Sequence, residues 1–261
     1  MEEYFSKLVE KNEKKLYNKR DNKIGGSAMR KYDTILFDAD GTLLDFLRSE
    51  REAICMALSR FGVTATDDQV HTYSKINDGL WKQLERGEIE KPRLFVRRFE
   101  LFCQEYNLAI DPEALSKTYF DELAQKGYFL DGAEELCHRL LGQFRMVIVT
   151  NGDHRVQKSR YQICELSRFM QGHFISDEIG FEKPDVRFFE AVEKALPDLC
   201  RERTIIVGDS LSSDISGGIR FGIDTCWYNP KGKEAPKDMP ITYIAHNFED
   251  VYRFVTKEDV Q

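Results

Sequence analysis

Five short apolar runs punctuate the chain: TILFD (34–38), MVIVTN (146–151), HFIS (173–176), TIIVGD (204–209) and DTCWYN (224–229). They are rich in Val and Ile, and several lack the alternation of a half-exposed strand. That is the signature of strands buried on both faces of a parallel sheet. Helix-period patterns lie between them, over 131–142, 153–166, 185–196 and 212–221. Strand-helix alternation of this kind predicts an α/β fold built on a doubly wound parallel sheet.

One interval breaks the rhythm. Between Phe46 and Lys126 there is no convincing strand, only helical pieces near 46–61, 66–76, 79–86, 92–106 and 112–125. Asp67, Asp78 and Asp111 with Pro112 supply the helix starts. About 80 helical residues are too many for an ordinary crossover. They are expected to form an inserted all-helical cap over 46–126, within a catalytic core made of 29–45 and 127–261. Such a cap could close over whatever stands at the end of the first strand. Residues 1–28 read as an appended segment. Tyr4, Phe5, Leu8, Val9, Leu16 and Tyr17 keep helical spacing, and the flexible KIGGSA follows before Met29.

Composition narrows the function classes. A length of 261 residues with 41% hydrophobic and 32% charged content is ordinary for a globular chain. A net charge of -7 gives no sign of a nucleic-acid polymer or membrane surface as partner. No apolar run reaches the roughly 18 residues of a spanning helix. The start, MEEYFSKLVEKNEKK, is too charged for a secretory signal. Six scattered cysteines without a C-x-x-C pair fit buried thiols in a reducing, cytoplasmic setting rather than a zinc site.

In open parallel sheets, ligands bind beyond the carboxyl ends of the strands. Those ends carry Asp38 and Asp40, Thr150 and Asn151, and, in GDSLSSD, Asp209 and Asp214. Lys183 stands just before Pro184, which suits a first helical turn. Two acids so close at the end of a buried strand repel each other unless something compensates them. Acidic oxygens converging on a point suit a hard cation such as Mg²⁺. A carboxylate can attack phosphorus, and Thr150 and Lys183 can hold the phosphoryl oxygens. Asp40, two residues beyond Asp38, projects to the same side of an extended chain and can serve as acid and base. Asn151, directly after Thr150 at the strand end, is expected to bind phosphate with it, a helix cap being the competing reading; for Asp214, the competing reading is a plain helix-start acid.

D-x-D-G-T, hydrophobic-T-N, K-P and G-D-x-x-x-x-D follow one another from 38 to 214. In that order they resemble the haloacid dehalogenase superfamily. The resemblance implies a Rossmann-like core with a type I helical cap, Asp38 as nucleophile, and Asp40 as general acid/base. It further implies Thr150 and Lys183 as phosphate binders and a Mg²⁺ held by Asp38, the Asp40 carbonyl and Asp209, with Asp214 in support. Asp40 points to phosphate chemistry, because the carbon-attacking dehalogenases of the superfamily lack this second acid. KINDGLWKQLERGEI (75–89) and GDSLSSDISGGIRFGIDTCWYNP (208–230) look similar to bacterial pyrimidine 5'-nucleotidases, as do VTNGDHRVQKSR and ISDEIGFEKPD. Those enzymes dephosphorylate pyrimidine nucleoside monophosphates.

The expectation is a Mg²⁺-dependent phosphatase, monomeric or homodimeric, acting on a small phosphate ester. A pyrimidine nucleoside 5'-monophosphate is the leading substrate and a sugar phosphate the rival. A phosphoacceptor that binds Mg²⁺ without turnover is the rival from another class. In the cap, Trp81 could stack on a base and Asn77 read its edge. Trp81 also shares helical spacing with Leu80 and Leu84, which would place it in the cap's own core.

Overall fold

The computed structural model describes residues 31–257; the helix expected within 1–28 lies outside them. In chain order, β1 (Thr34–Phe37) is followed by α1 (Phe46–Arg60), α2 (Asp67–Glu85), α3 (Lys91–Glu105), α4 (Pro112–Leu123) and α5 (Ala133–Leu140). Then come β2 (Arg145–Thr150), α6 (His154–Ile163), β3 (Gly172–Ile175), the single turn α7 (Ser176–Ile179) and α8 (Val186–Ala195). The chain closes with β4 (Thr204–Gly208), α9 (Ser216–Phe221), β5 (Asp224–Tyr228), β6 (Tyr243–Ala245) and α10 (Phe248–Thr256).

The six strands form one sheet in the order β3-β2-β1-β4-β5-β6, every pair parallel. The doubly wound sheet expected from the Val/Ile-rich runs is thus present. β1 is buried throughout, as are β2 beyond its first residue and β4, since both sheet faces are covered. On one face Leu36, Val147, Val149 and Ile206 pack with Phe188, Phe189 and Val192 of α8 and with Phe221 of α9. Winding runs outward from β1 through β2 to β3, then resumes on the other side at β4. The switch point therefore falls between β1 and β4, whose Phe37 and Val207 pair.

The chain divides into two compact units. One comprises the sheet and its helices; the other comprises Leu44–Phe129 together with Gly152–Leu166. The second unit has its own core, in which Ala53, Ile54 and Leu58 meet Tyr73, Phe99, Phe102, Leu115 and Tyr119. Sequence reading leaves 153–166 with the sheet, whereas the structure groups α6 with the helical unit. The cause is visible. Val156 enters the helical core, and the buried Arg160 donates from Nε to the Lys126 carbonyl at 2.8 Å.

Other expectations need adjusting. The two pieces 66–76 and 79–86 are one helix, α2, running through Asp78 and Gly79. Its start is Thr66 rather than Asp67: the Thr66 hydroxyl accepts from the Gln69 amide and the Gln69 side chain accepts from the Thr66 amide. That reciprocal cap fixes the N-terminus. With Tyr73, Asn77 and Leu80 buried on one stripe, packing outweighs the roughly 1 kcal/mol that a mid-helix glycine costs. Asp111 does cap α4, accepting from the Ala114 amide. The segment 212–221 opens as one π turn, Leu211–Ile215, before α9. β6 and α10 were not anticipated. No helix among the described residues is long and apolar enough to cross a membrane.

Candidate active site

The sheet places the polar groups by register. Asp38 leaves β1 with its amide bonded to the Val207 carbonyl of β4 at 2.9 Å. Asp209 leaves β4, and its amide donates to the buried Thr42 hydroxyl at 3.0 Å. The first loop is thereby tied to the end of β4. The turn after Asp38 closes with Leu43 donating to the Ala39 carbonyl at 2.9 Å. It needs Gly41, whose φ is +84° and where a Cβ would come 2.7 Å from an Asp209 carboxylate oxygen. Asp40 lies half-buried on this loop.

Lys183 is the hub. Its side chain is 1% exposed, and Nζ donates to Asp38 Oδ1 at 2.8 Å, Asp214 Oδ1 at 2.6 Å and the Val149 carbonyl at 2.7 Å. An ammonium has three N–H groups, so all three are used. Asp214 is itself 1% exposed, and its other oxygen accepts from the Ser210 amide at 3.1 Å. Gly208 is required here: a Cβ would fall 2.3–2.5 Å from Asp214 side-chain atoms. Asp214 is thus an integral member of the buried network, more than a helix-start acid. Thr150 ends β2 and is 2% exposed.

Asn151 braces the loop that carries Lys183. Its Nδ2 donates to the Lys183 carbonyl and its Oδ1 accepts from the Lys183 amide, both at 2.8 Å. The carbonyl and one N–H of the side-chain amide are engaged with the Lys183 backbone, so Asn151 positions the lysine loop. The helix cap belongs to Asp153, which accepts from the Arg155 and Val156 amides. Asn77 is likewise committed. It is 2% exposed, donates to Glu50 Oε1 at 2.7 Å and accepts from Arg98 Nη1 at 3.0 Å within the helical unit. Its carbonyl and one of its N–H groups are thus engaged inside the helical unit. Trp81 is half-buried and meets Phe95 edge-on at 6.3 Å.

The electrostatics follow from this crowding. Burial pushes the Asp38 carboxyl well above the usual range. Lys183 opposes that push, while the Asp214 and Asp209 charges add to it. Burial alone would lower the pKa of Lys183, but Asp214 and Asp38 outweigh it and hold the ammonium above its usual value. Asp209 keeps a solvent-exposed face. The protein packed around it, then the Asp214 charge, still raise its proton affinity, and the Lys183 charge opposes the rise. Asp38, Asp209 and Asp214 each bring one carboxylate oxygen within 4.8 Å of the others. An all-oxygen set with this excess of negative charge fits a hard divalent cation such as Mg²⁺.

Two partners escaped sequence reading. The Val149 carbonyl is a backbone group that no side-chain pattern marks. The Trp227 indole, which donates to the Asp209 carbonyl at 3.0 Å, sits within β5 and reads as core.

A parallel sheet with four acids and a buried lysine at its switch point, interrupted after β1 by a helical unit, defines a Rossmann-like hydrolase with an aspartate-centred site. The chain belongs to the haloacid dehalogenase-like hydrolases, and the model of that family matches residues 32–222. It is 35% identical over 231 residues to the HAD-hydrolase YfnB of Bacillus subtilis, spanning 88% of this chain and 98% of YfnB. The pyrimidine 5'-nucleotidase PynA of Streptococcus pneumoniae is 34% identical over 84% of this chain and 93% of its own. The pyrimidine 5'-nucleotidase YjjG of Escherichia coli is 31% identical over 87% and 99%. A crystal structure of YfnB bound to magnesium matches with a TM-score of 0.83 at 34% identity, covering 87% of this chain and 99% of that one. The protein is a phosphatase of this family.

Proposed function

We propose that this phosphatase hydrolyses pyrimidine nucleoside 5'-monophosphates through an aspartyl-phosphate on Asp38, with Mg²⁺ as cofactor, in the cytoplasm. The observation that carries the mechanism is the three-way contact of Lys183 with Asp38, Asp214 and the Val149 carbonyl. It favours the ionised form of a buried carboxylate and fixes its direction, which is what a nucleophile needs. Similarity to two pyrimidine 5'-nucleotidases over most of both chains supports the substrate class.

An Asp38 oxygen attacks phosphorus, and the bond from phosphorus to the 5'-oxygen breaks as Asp40 gives that oxygen its proton. Asp40 then takes a proton from water, which attacks the same phosphorus and releases orthophosphate and the Asp38 carboxylate. Thr150 holds a phosphoryl oxygen through its hydroxyl. Lys183, with its N–H groups already engaged, contributes charge. Mg²⁺, held by Asp38, Asp209, Asp214 and the Asp40 carbonyl, would neutralise phosphoryl oxygens as charge develops. For the base, Trp81, half-buried where Asn77 is buried, is the side chain that would stack on the ring.

The test is phosphate release from UMP, dUMP, TMP, CMP, AMP and several sugar phosphates, with and without Mg²⁺, using Asp38→Asn as control. Turnover concentrated on the pyrimidine monophosphates, lost in the variant and in EDTA, is expected. Preference for sugar phosphates would remove the nucleotidase reading and leave the chemistry. Release that stops at one equivalent would remove the catalytic cycle.

A further inference from the structure

Asn229, just past β5, is 3% exposed and organises the loop that follows. Its amide donates to the Ala245 carbonyl at 2.7 Å and its carbonyl accepts from the Gly232 amide at 3.1 Å. A ring nitrogen of His246 lies 3.0 Å from the same carbonyl oxygen. Its side chain closes on Lys233 from both ends: Nδ2 donates to the Lys233 carbonyl at 2.8 Å, and Oδ1 accepts from the Lys233 amide at 3.0 Å. The loop is therefore tied down at Lys233, whose side chain is exposed. Among the described residues no salt bridge engages that ammonium.

The sheet brings this loop to the acid centre. Trp227 pairs with Gly208, so the chain leaving β5 runs beside Asp209, and the Trp227 indole holds the Asp209 carbonyl.

We propose that Lys233 is a positioning residue that steers the anionic phosphate ester to this centre and helps seat it there. A dianion approaching Asp38, Asp40, Asp209 and Asp214 meets four acids. The one cation inside, Lys183, is buried with its donors committed. An exposed cation on a loop tethered next to the end of β4 supplies attraction that acts at a distance and survives in water. Nothing in the phosphoryl transfer itself requires it, so its effect belongs to capture rather than to the chemical step. The inference rests on the phosphatase reading but not on the pyrimidine base.

The experiment uses p-nitrophenyl phosphate, which carries no base, with saturating Mg²⁺ at varied NaCl. Lys233→Glu is expected to lower kcat/KM about tenfold near 20 mM salt, with the gap shrinking to about twofold near 0.5 M. Its kcat should stay within about twofold of the parent, because a rim charge acts on association. Lys233→Arg should behave as the parent. Lys194→Glu makes the same charge change at the far end of α8 and should leave the salt profile unmoved. Equal kcat/KM for Lys233→Glu and the parent at every salt would overturn the proposal, as would a loss carried by kcat. If the parent releases phosphate from no ester, the phosphatase reading fails. Calorimetric titration with inorganic phosphate then decides the Lys233 question: weaker binding in Lys233→Glu sustains it, and equal binding sinks it. Should Lys233→Glu not fold, Lys233→Gln carries the same comparison at half the charge change.

Discussion

Replacing Lys183 by Met keeps the length of the side chain and removes its charge. Asp38 and Asp214 would then face each other in a site where both are nearly buried, without the ammonium that bonds them at 2.8 and 2.6 Å. Removing one partner of a buried ion network costs about 3–5 kcal/mol. The Val149 carbonyl also loses its donor. For a chain of this size the change corresponds to a fall in Tm of roughly 10 °C. The assay is urea and thermal unfolding in EDTA at pH 7.5, so that no metal masks the loss. Lys183 has a raised pKa in the fold, so its stabilisation is fully present below the unfolded-state value of about 10.4 and fades only as pH climbs through the folded value. The gap between parent and variant should therefore be flat near neutrality. It should narrow in acid, because Asp38, already raised, takes up a proton and sheds its repulsion with Asp214. The double variant Lys183→Met, Asp214→Asn should recover part of the loss, giving a coupling of about 1.5–3 kcal/mol. A single-variant loss below about 1 kcal/mol, or additivity within about 0.5 kcal/mol, would refute the view that Lys183 holds the two acids together.

Asn151→Ala should lower stability by about 1–3 kcal/mol, because it strips partners from the Lys183 amide and carbonyl. It should also lower kcat/KM about 100-fold by loosening the lysine, as steady-state kinetics would show. Gly208→Ala drives a methyl into Asp214 and should cost about 1–3 kcal/mol in chemical denaturation with loss of turnover. Gly79→Ala meets nothing within 4 Å in mid-helix and should raise stability by about 1 kcal/mol in the same assay. Asn77→Ala should destabilise by about 1–3 kcal/mol while leaving the ratio of UMP to sugar-phosphate turnover unchanged. Trp81→Ala should shift that ratio.

The sheet was legible because its strands are short, β-branched and buried on both faces, so Ile35, Leu36, Val147 and Ile206 announce themselves. The acids were legible for the opposite reason: a carboxylate at the end of a buried strand is costly unless it has a task. What stayed hidden depends on partners far apart in sequence. β6 is three residues long with two half-buried, too short to show a period. The break expected near Asp78 weighed a local breaker against a packing stripe that only the assembled helices reveal. Asn151 was read from its neighbour Thr150, yet its amide is claimed by the backbone of Lys183, 32 residues away.

Asn77 illustrates how far periodicity can be pressed. Tyr73, Asn77 and Leu80 fall on one helical stripe, the stripe that α2 buries. Helical spacing alone therefore sends this amide inward, where a polar group must be paired. Glu50 from α1 and Arg98 from α3 pair it. The guanidinium in turn lies over the rings of Phe99, Tyr119 and Phe120 at 4.8–5.0 Å. One amide thus links three helices, and burial raises the Glu50 carboxyl against the bonds from Ser74 and Asn77 and the charge of Arg98. A residue spent on that linkage cannot also read a nucleobase without dismantling it. On the reading proposed above, recognition falls to side chains off this stripe, and the half-buried Trp81 is the one that the Trp81→Ala measurement tests.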